Sequence, residues 1–302
     1  MPSCGFYCTA TNEMLNAHSR IINPISMTVL EDIVAATRRR VGECRSTANL
    51  RELERRAATH VPRGFRKALE SASRAGIAII AELKKASPSR GLIRSDFDPE
   101  ALARELERAG AAALSVLTDE EFFQGSLQNL RAASASTRIP CLRKDFIIDE
   151  FQLLDARANC ADAVLLIVAA LEQAELTSLA AKAADYALDV LCEVHDVAEL
   201  QRARDAGCKI IGVNSRDLKT FKVDLTTALD VADEISEDVL AVAESGIESG
   251  AAIARLRAAG YGAFLVGEKL MTAARPGEAL RALMVEAAVP ISSARQVLEP
   301  QS

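Results

Sequence analysis

Cys141-Leu-Arg-Lys-Asp-Phe146 sets a cation, Lys144, where a short apolar strand gives way to a loop, with an aromatic ring two residues on. A lysine in that place is ordinarily a solvated charge. Its reading changes because the arrangement recurs: Glu82/Lys84, Glu193/His195, Asn214/Arg216 and Glu244/Ser245 each follow an apolar, strand-like run. Five strands therefore deliver polar groups at their downstream ends, which is the pattern of a site.

From Ile77 onward, eight short runs rich in Val, Ile, Leu and Ala alternate with segments of helical apolar spacing. The strand candidates are 77–82, 112–117, 140–143, 163–168, 189–193, 209–213, 239–243 and 263–266. Helices fit over 99–109, 126–135, 149–159, 172–186, 197–206, 225–234, 249–259 and 277–286. Gly110, Gly207 and Gly260 each follow a helical run and suit its C-terminal cap. Strands apolar on both faces, each followed by a helix, belong to a parallel sheet covered on both sides. Eight of them point to a closed (β/α)8 barrel, the TIM-barrel class of α/β fold; an open doubly wound sheet is the alternative, since closure rests on the count. In both architectures ligands bind beyond the carboxyl ends of the strands, so the five polar positions should meet on one side.

Ahead of the barrel, Leu30, Ile33, Val34, Val41 and Leu50 recur at helical spacing, read as one long helix or two short ones. Pro62-Arg-Gly64 interrupts the pattern, and 65–74 reads as another short helix. The expected organisation is an unmatched lead over 1–27, one barrel domain over 28–286 that includes an N-terminal helical extension over 28–74, and a tail over 287–302.

Composition narrows the partners. Apolar residues make up 49% and charged residues 26% of the 302, with no apolar run near a membrane span, which needs ~20 residues; a soluble protein is expected. The net charge of -6 argues against a general nucleic-acid surface, because phosphate-backbone binding needs clustered Lys and Arg. Any phosphate bound should be a small one, captured locally. Seven scattered cysteines read as reduced thiols rather than a disulfide framework. Cys4 and Cys8 lack a second pair or His partner at metal-ligand spacing, so no metal site is expected. The first 27 residues have neither the basic start and apolar core of a secretory signal nor the Arg-rich, acid-poor character of a transit peptide. A cytoplasmic location is expected.

The last two strands run out into Ala243-Glu-Ser-Gly-Ile247 and Leu265-Val-Gly-Glu-Lys-Leu270, the latter with a short helical continuation toward Thr272. Loops there, with glycines allowing close backbone approach, form a recurrent phosphate cradle in such barrels. Ser245, Gly246 and Gly267 are the candidate contacts, against the alternative of ordinary strand-to-helix turns. Glu268 is compatible with this if its side chain points away. At the early strands, Glu82 and Lys84 fall on one face of an extended chain. If Lys144 and Glu193 converge with them, two carboxylates flank two ammonium groups in a partly desolvated mouth, and lysine and glutamate can divide acid and base roles. Alternatives are that Glu82 is a structural carboxylate paired to Lys84, and that Arg216 ties Glu244 in place. His195 reads as a loop residue without a role, and alternation turns Arg143 and Asp145 away from the substrate.

The run Ile79-Ile-Ala-Glu-Leu-Lys-Lys-Ala-Ser-Pro-Ser-Arg-Gly91, with Phe123-Gln-Gly-Ser126, Leu142-Arg-Lys-Asp-Phe146, Asn214-Ser-Arg-Asp-Leu218 and Ala243-Glu-Ser-Gly-Ile247, resembles the indole-3-glycerol-phosphate synthases of tryptophan biosynthesis over residues 28–285. The resemblance implies a (β/α)8 barrel that closes the indole ring of 1-(2-carboxyphenylamino)-1-deoxyribulose 5-phosphate with loss of carbon dioxide and water, without cofactor or metal. It implies Lys144 as general acid and Glu193 as general base. Lys84 would hold the substrate carboxylate and share the acid role, while Glu82 and Asn214 steer proton transfer. Phe146, Phe123 and Leu165 would pack on the anthranilate ring, Arg216 and Glu244 join the polar network, and Ser87, Ser245, Gly246, Gly267 and Glu268 line the phosphate side. The partner is a phosphorylated small molecule, with no nucleic acid or membrane. Since one barrel is present, a single activity is expected. Competing readings are a Schiff-base aldolase with Lys144 as nucleophile and a catalytically silent phosphate-binding barrel.

Overall fold

The computed structural model describes residues 29–217 and 222–288; the expected lead over 1–27 and most of the tail over 287–302 lie outside them. Two helices open the chain, α1 (Val29–Thr47) and α2 (Leu50–Thr59), followed by α3 (Phe65–Ala75). The break between the first two is a capped start: Asn49 accepts a hydrogen bond from Glu52 N at 3.2 Å.

The alternation then begins with β1 (Ala78–Leu83), a small hairpin of β2 (Ala86–Ser87) and β3 (Gly91–Leu92), and α4 (Pro99–Arg108). It continues through β4 (Ala113–Leu117), α5 (Leu127–Ala135), β5 (Cys141–Lys144), α6 (Glu150–Ala158), β6 (Ala163–Ile167) and α7 (Gln173–Asp185). Next come β7 (Asp189–Val194), α8 (Val197–Asp205), β8 (Ile210–Asn214), α9 (Thr226–Ala232), β9 (Leu240–Glu244) and α10 (Gly250–Ala258). The run ends with β10 (Ala263–Val266), the one-turn helix α11 (Glu268–Met271) and α12 (Pro276–Ala288). β1 pairs in parallel with β4 on one side and β10 on the other, so the eight long strands close into a barrel and the open-sheet alternative falls. The hairpin was not legible in sequence; its strands are two residues each.

Local chemistry places the helix ends. Asp98, Ser126, Asp149, Asp196 and Ser249 each cap a helix through a side-chain oxygen, satisfying amide groups the first turn leaves unpaired. The three predicted cap glycines take positive φ, at 102°, 78° and 102° for Gly110, Gly207 and Gly260. Cys160 and Ala187 do the same without glycine, at 66° and 51°.

Side chains alternate in and out along each strand. Ala78, Ile80, Ala113, Leu142, Ala163, Leu165, Leu191, Ile210, Val242, Ala263 and Leu265 pack together inside the barrel, and Phe65 and Leu69 of α3 plug its lower end, both at 0% exposure. The helical extension is thus part of the core. Fully burying side chains of that size stabilises by roughly 1.5–3 kcal/mol each.

Asp162 ties the extension to the barrel floor. Its Oδ1 accepts from Arg63 N at 2.8 Å and lies 3.1 Å from His60 Nε2, while Oδ2 accepts from Arg63 Nε at 2.9 Å and Cys141 N at 2.7 Å. Burial would raise this carboxyl's pKa, but hydrogen bonds from His60 and Arg63 outweigh it and hold it below the ordinary range. Asp162→Ala strands these donors and is expected to cost about 3–5 kcal/mol of unfolding free energy. Urea titration measures it; a loss below ~1 kcal/mol would mean that the network is solvated and carries little.

Candidate active site

The parity that packs the lower barrel continues upward into polar residues. Glu82 follows Ile80 on β1, Lys144 follows Leu142 on β5, Glu193 follows Leu191 on β7, and Asn214 and Glu244 end β8 and β9. All five face a cavity of about 850 Å³ at the carboxyl ends of the strands. Every other candidate lines the same cavity: Lys84, Ser87, Phe123, Phe146, Leu165, Arg216, Ser245, Gly246, Gly267 and Glu268.

Lys144 Nζ donates to Glu193 Oε2 at 2.9 Å and lies 3.4 Å from Glu244 Oε2. Lys84 Nζ pairs with Glu82 Oε1 at 2.6 Å. Asn214 connects the set, donating from Nδ2 to Glu193 Oε1 at 3.0 Å while its Oδ1 accepts from Ser245 Oγ at 2.7 Å and Arg216 N at 3.0 Å. Phe123 and Phe146 face each other across the mouth with ring centroids 6.3 Å apart.

Three carboxylates share two ammonium groups, so the inventory is one positive charge short. The shortfall falls on Glu244. Burial raises its pKa, and although Lys144 opposes this, repulsion from Glu193 and Glu82 helps carry it up to about 7. Its Oε1 has no hydrogen-bond partner. For Glu193, burial also raises the pKa, but Lys144, His195 and Asn214 reverse the sign and keep it ionised. Lys144 is buried too, which favours the neutral amine, yet Glu193, Glu244 and Glu82 together hold it charged well above the ordinary lysine range.

The sign of the Glu244 shift gives a test. A carboxyl whose pKa is raised on folding contributes stability at low pH that is lost as pH rises through the folded value. Glu244→Gln keeps the neutral form, so its unfolding free energy relative to the parent should improve by up to about 3 kcal/mol between ~pH 5 and ~pH 8.5. Urea unfolding at both pH values reads this, and an unchanged difference contradicts a protonated Glu244.

Some placements depart from the sequence reading. His195 sits behind the proposed base, its Nδ1 2.9 Å from Glu199 and its buried Nε2 3.5 Å from Glu193 Oε1. Glu268 does not simply turn away; it pairs with Arg90 of the hairpin turn and reaches Arg216 at 3.8 Å, so its charge is compensated at the rim. Arg143 does turn outward, to Asp155 of α6 at 3.0 Å, and it pairs with Asp145 at 2.9 Å. Sequence reasoning missed Val29, Leu30 and Ile33, which line the cavity from α1. Their apolar spacing was visible, but not the surface they cover. It also missed Gly212, where any Cβ would overlap the Glu244 carboxylate.

The indole-3-glycerol phosphate synthase family model matches residues 30–283. This chain belongs to that family. The indole-3-glycerol phosphate synthase of Koribacter versatilis is 58% identical over 255 residues, covering 84% of this chain and 98% of that protein. That of Acidithiobacillus ferrooxidans is 49% identical over 260 residues, covering 85% and 99%. Among solved structures, 3-hexulose-6-phosphate synthase superposes with a TM-score of 0.58 at 16% identity, over 71% of this chain and 100% of that one. Thiamine phosphate pyrophosphorylase from Pyrococcus furiosus gives 0.54 at 16% identity, over 73% and 100%. At such identities the likeness shows the barrel fold alone. Among the described residues, no helix is long and apolar enough to cross a membrane.

Proposed function

We propose that Lys144 and Glu193 act as general acid and general base in the ring closure that defines the synthase family. The chain is a decarboxylating carbon-carbon lyase of tryptophan biosynthesis, as its relatives and family model establish. The observation that supports these roles is the Lys144–Glu193 pair, 2.9 Å apart at the top of the barrel interior and beside Phe146.

The substrate is read as 1-(2-carboxyphenylamino)-1-deoxyribulose 5-phosphate. Its aromatic ring lies by Phe123, Phe146 and Leu165, its carboxylate at Lys84, and its phosphate by Ser87, Ser245, Gly246 and Gly267. Lys144 protonates the ribulose carbonyl oxygen, making the carbon electrophilic toward the ring carbon that bears the carboxylate. Once that bond forms, the amine nitrogen carries the positive charge, and departure of carbon dioxide returns an electron pair to the ring. Dehydration then needs an acid at the departing hydroxyl and a base for the adjacent proton, which Lys144 and Glu193 supply. An ammonium held so firmly by carboxylates surrenders its proton reluctantly. Glu244, protonated up to about pH 7 and 3.4 Å away, is placed to return a proton to Lys144 once it has been given up. The reading also locates the enzyme in the cytoplasm.

The assay is steady-state formation of fluorescent indole-glycerol phosphate from the carboxyphenylamino substrate by the purified protein. Turnover without any borohydride-trapped adduct on Lys144 is the expected result. A trapped adduct would favour the Schiff-base aldolase, and substrate binding without turnover the silent barrel.

A further inference from the structure

Both aromatic walls of the cavity hang from carboxylates that a single guanidinium spans. Phe123 lies in a tight loop after β4, closed by Phe122 N donating to Asp119 Oδ1 and Gly125 N donating to Asp119 O, each at 2.7 Å. Phe146 follows Asp145, whose Oδ1 accepts from Phe146 N at 2.9 Å. The side chains of Asp119 and Asp145 are both 1% exposed, and Arg40 of α1 reaches them together, Nη1 to Asp119 Oδ2 at 2.9 Å and Nη2 to Asp145 Oδ1 at 3.1 Å.

The two carboxylates are not equally dependent on it. Asp145 also accepts from Thr118 Oγ1 at 2.7 Å and from Arg143 at 2.9 Å. Asp119 draws its cation from Arg40 while standing near the Asp145 anion: burial pushes its carboxyl up, Asp145 adds to that, and Arg40 opposes both. Without the guanidinium, two buried like charges face each other and the Phe123 loop loses the bond that draws it toward Phe146. Arg40 lies two helical turns beyond Ile33, on the same buried face of α1 whose first residues line the cavity.

We propose that Arg40 is a positioning residue that sets the gap between Phe123 and Phe146, and so the fit of the enzyme to the aromatic end of its substrate. The planar guanidinium suits this task, since its fork reaches two acceptors at once, which a lysine ammonium on a flexible stem does less well. The proposal rests on the reading that these two rings hold the substrate's aromatic ring.

The test compares Arg40→Gln and Arg40→Lys with two controls, Arg45→Gln and Phe146→Ala. Arg45 is on the same helix but pairs with Asp149 at the surface, 3.2 Å away, so its loss loosens α1 without touching the walls. KM and kcat for the carboxyphenylamino substrate are measured, with competitive inhibition by anthranilate reporting the aromatic end and by inorganic phosphate the other end. Arg40→Gln should raise KM and the anthranilate inhibition constant by roughly tenfold, as expected for losing hydrogen bonds between charged groups. Its kcat and phosphate inhibition should stay near the parent values. Arg40→Lys should fall between, and Arg45→Gln should match the parent. Equal weakening of anthranilate and phosphate in Arg40→Gln would reduce Arg40 to a structural fastener and overturn the proposal, as would unchanged KM in both Arg40 variants while Phe146→Ala weakens the aromatic end. If Phe146→Ala is also without effect, the assignment of the aromatic end is what fails, and the proposal goes with it.

Discussion

Replacing Lys144 with methionine is expected to lower kcat by roughly 10²–10⁴-fold while KM changes by only a few fold, because the proposed proton donor acts in the transition state and contributes little to ground-state binding. The structure adds a second consequence. Lys144 is the cation held between Glu193 and Glu244, and its loss leaves their carboxylates together in a buried space. The protein then takes up a proton near neutral pH, and Glu193 changes from a carboxyl with a lowered pKa to one that burial raises. Its linkage to stability changes sign accordingly: the parent loses the Glu193 contribution as pH falls, the variant as pH rises. Steady-state kinetics together with unfolding at acid and alkaline pH check both parts. A variant with near-parental kcat would remove Lys144 from the chemistry, whatever its stability.

Gly267→Val is expected to lower kcat on the order of 10²-fold and to raise KM as well. Sequence reading alone expects mainly weaker phosphate binding, from a side chain blocking backbone approach. In the folded protein, any Cβ at 267 would overlap the carboxylate of Glu82, which pairs with Lys84 at 2.6 Å. The residue therefore holds open the space in which a proposed proton-transfer group sits. Displacing that group by about an ångström is enough to cost ~10² in rate. The φ of Gly267 is -119°, so the backbone tolerates other residues and the effect comes from the overlap itself. A raised KM with unchanged kcat would return Gly267 to the phosphate side alone. Gly212 stands in the same relation to Glu244, which makes two glycines complementary to two buried carboxylates.

The site was legible because barrel strands end in register. Once strand ends were located by the switch from period two to helical spacing, the polar residues at those ends had to face a common mouth. Glu82, Lys144, Glu193, Asn214 and Glu244 all do. His195 illustrates the limit: as the second residue after Glu193 it read as a loop position, yet the chain brings its ring against Glu193 from behind. Arg40 is a clearer case. Nothing at its position marks it among the arginines of α1, and its partners lie 79 and 105 residues away.

By itself the amino-acid sequence determined the order of the eight long strands and the helices between them, the three glycine-capped helix ends and the membership of the polar cluster, and it favoured a closed barrel over an open sheet. These depend on local spacing and on a topology with few solutions. Only the tertiary structure decided which carboxylate shares Lys144 and which is left to take a proton, that α3 plugs the barrel floor, and that α1 forms a wall of the cavity and grips both aromatic loops. Those outcomes depend on distances of a few ångströms between residues far apart in the chain, where burial and charge–charge interactions oppose one another and geometry sets the sign.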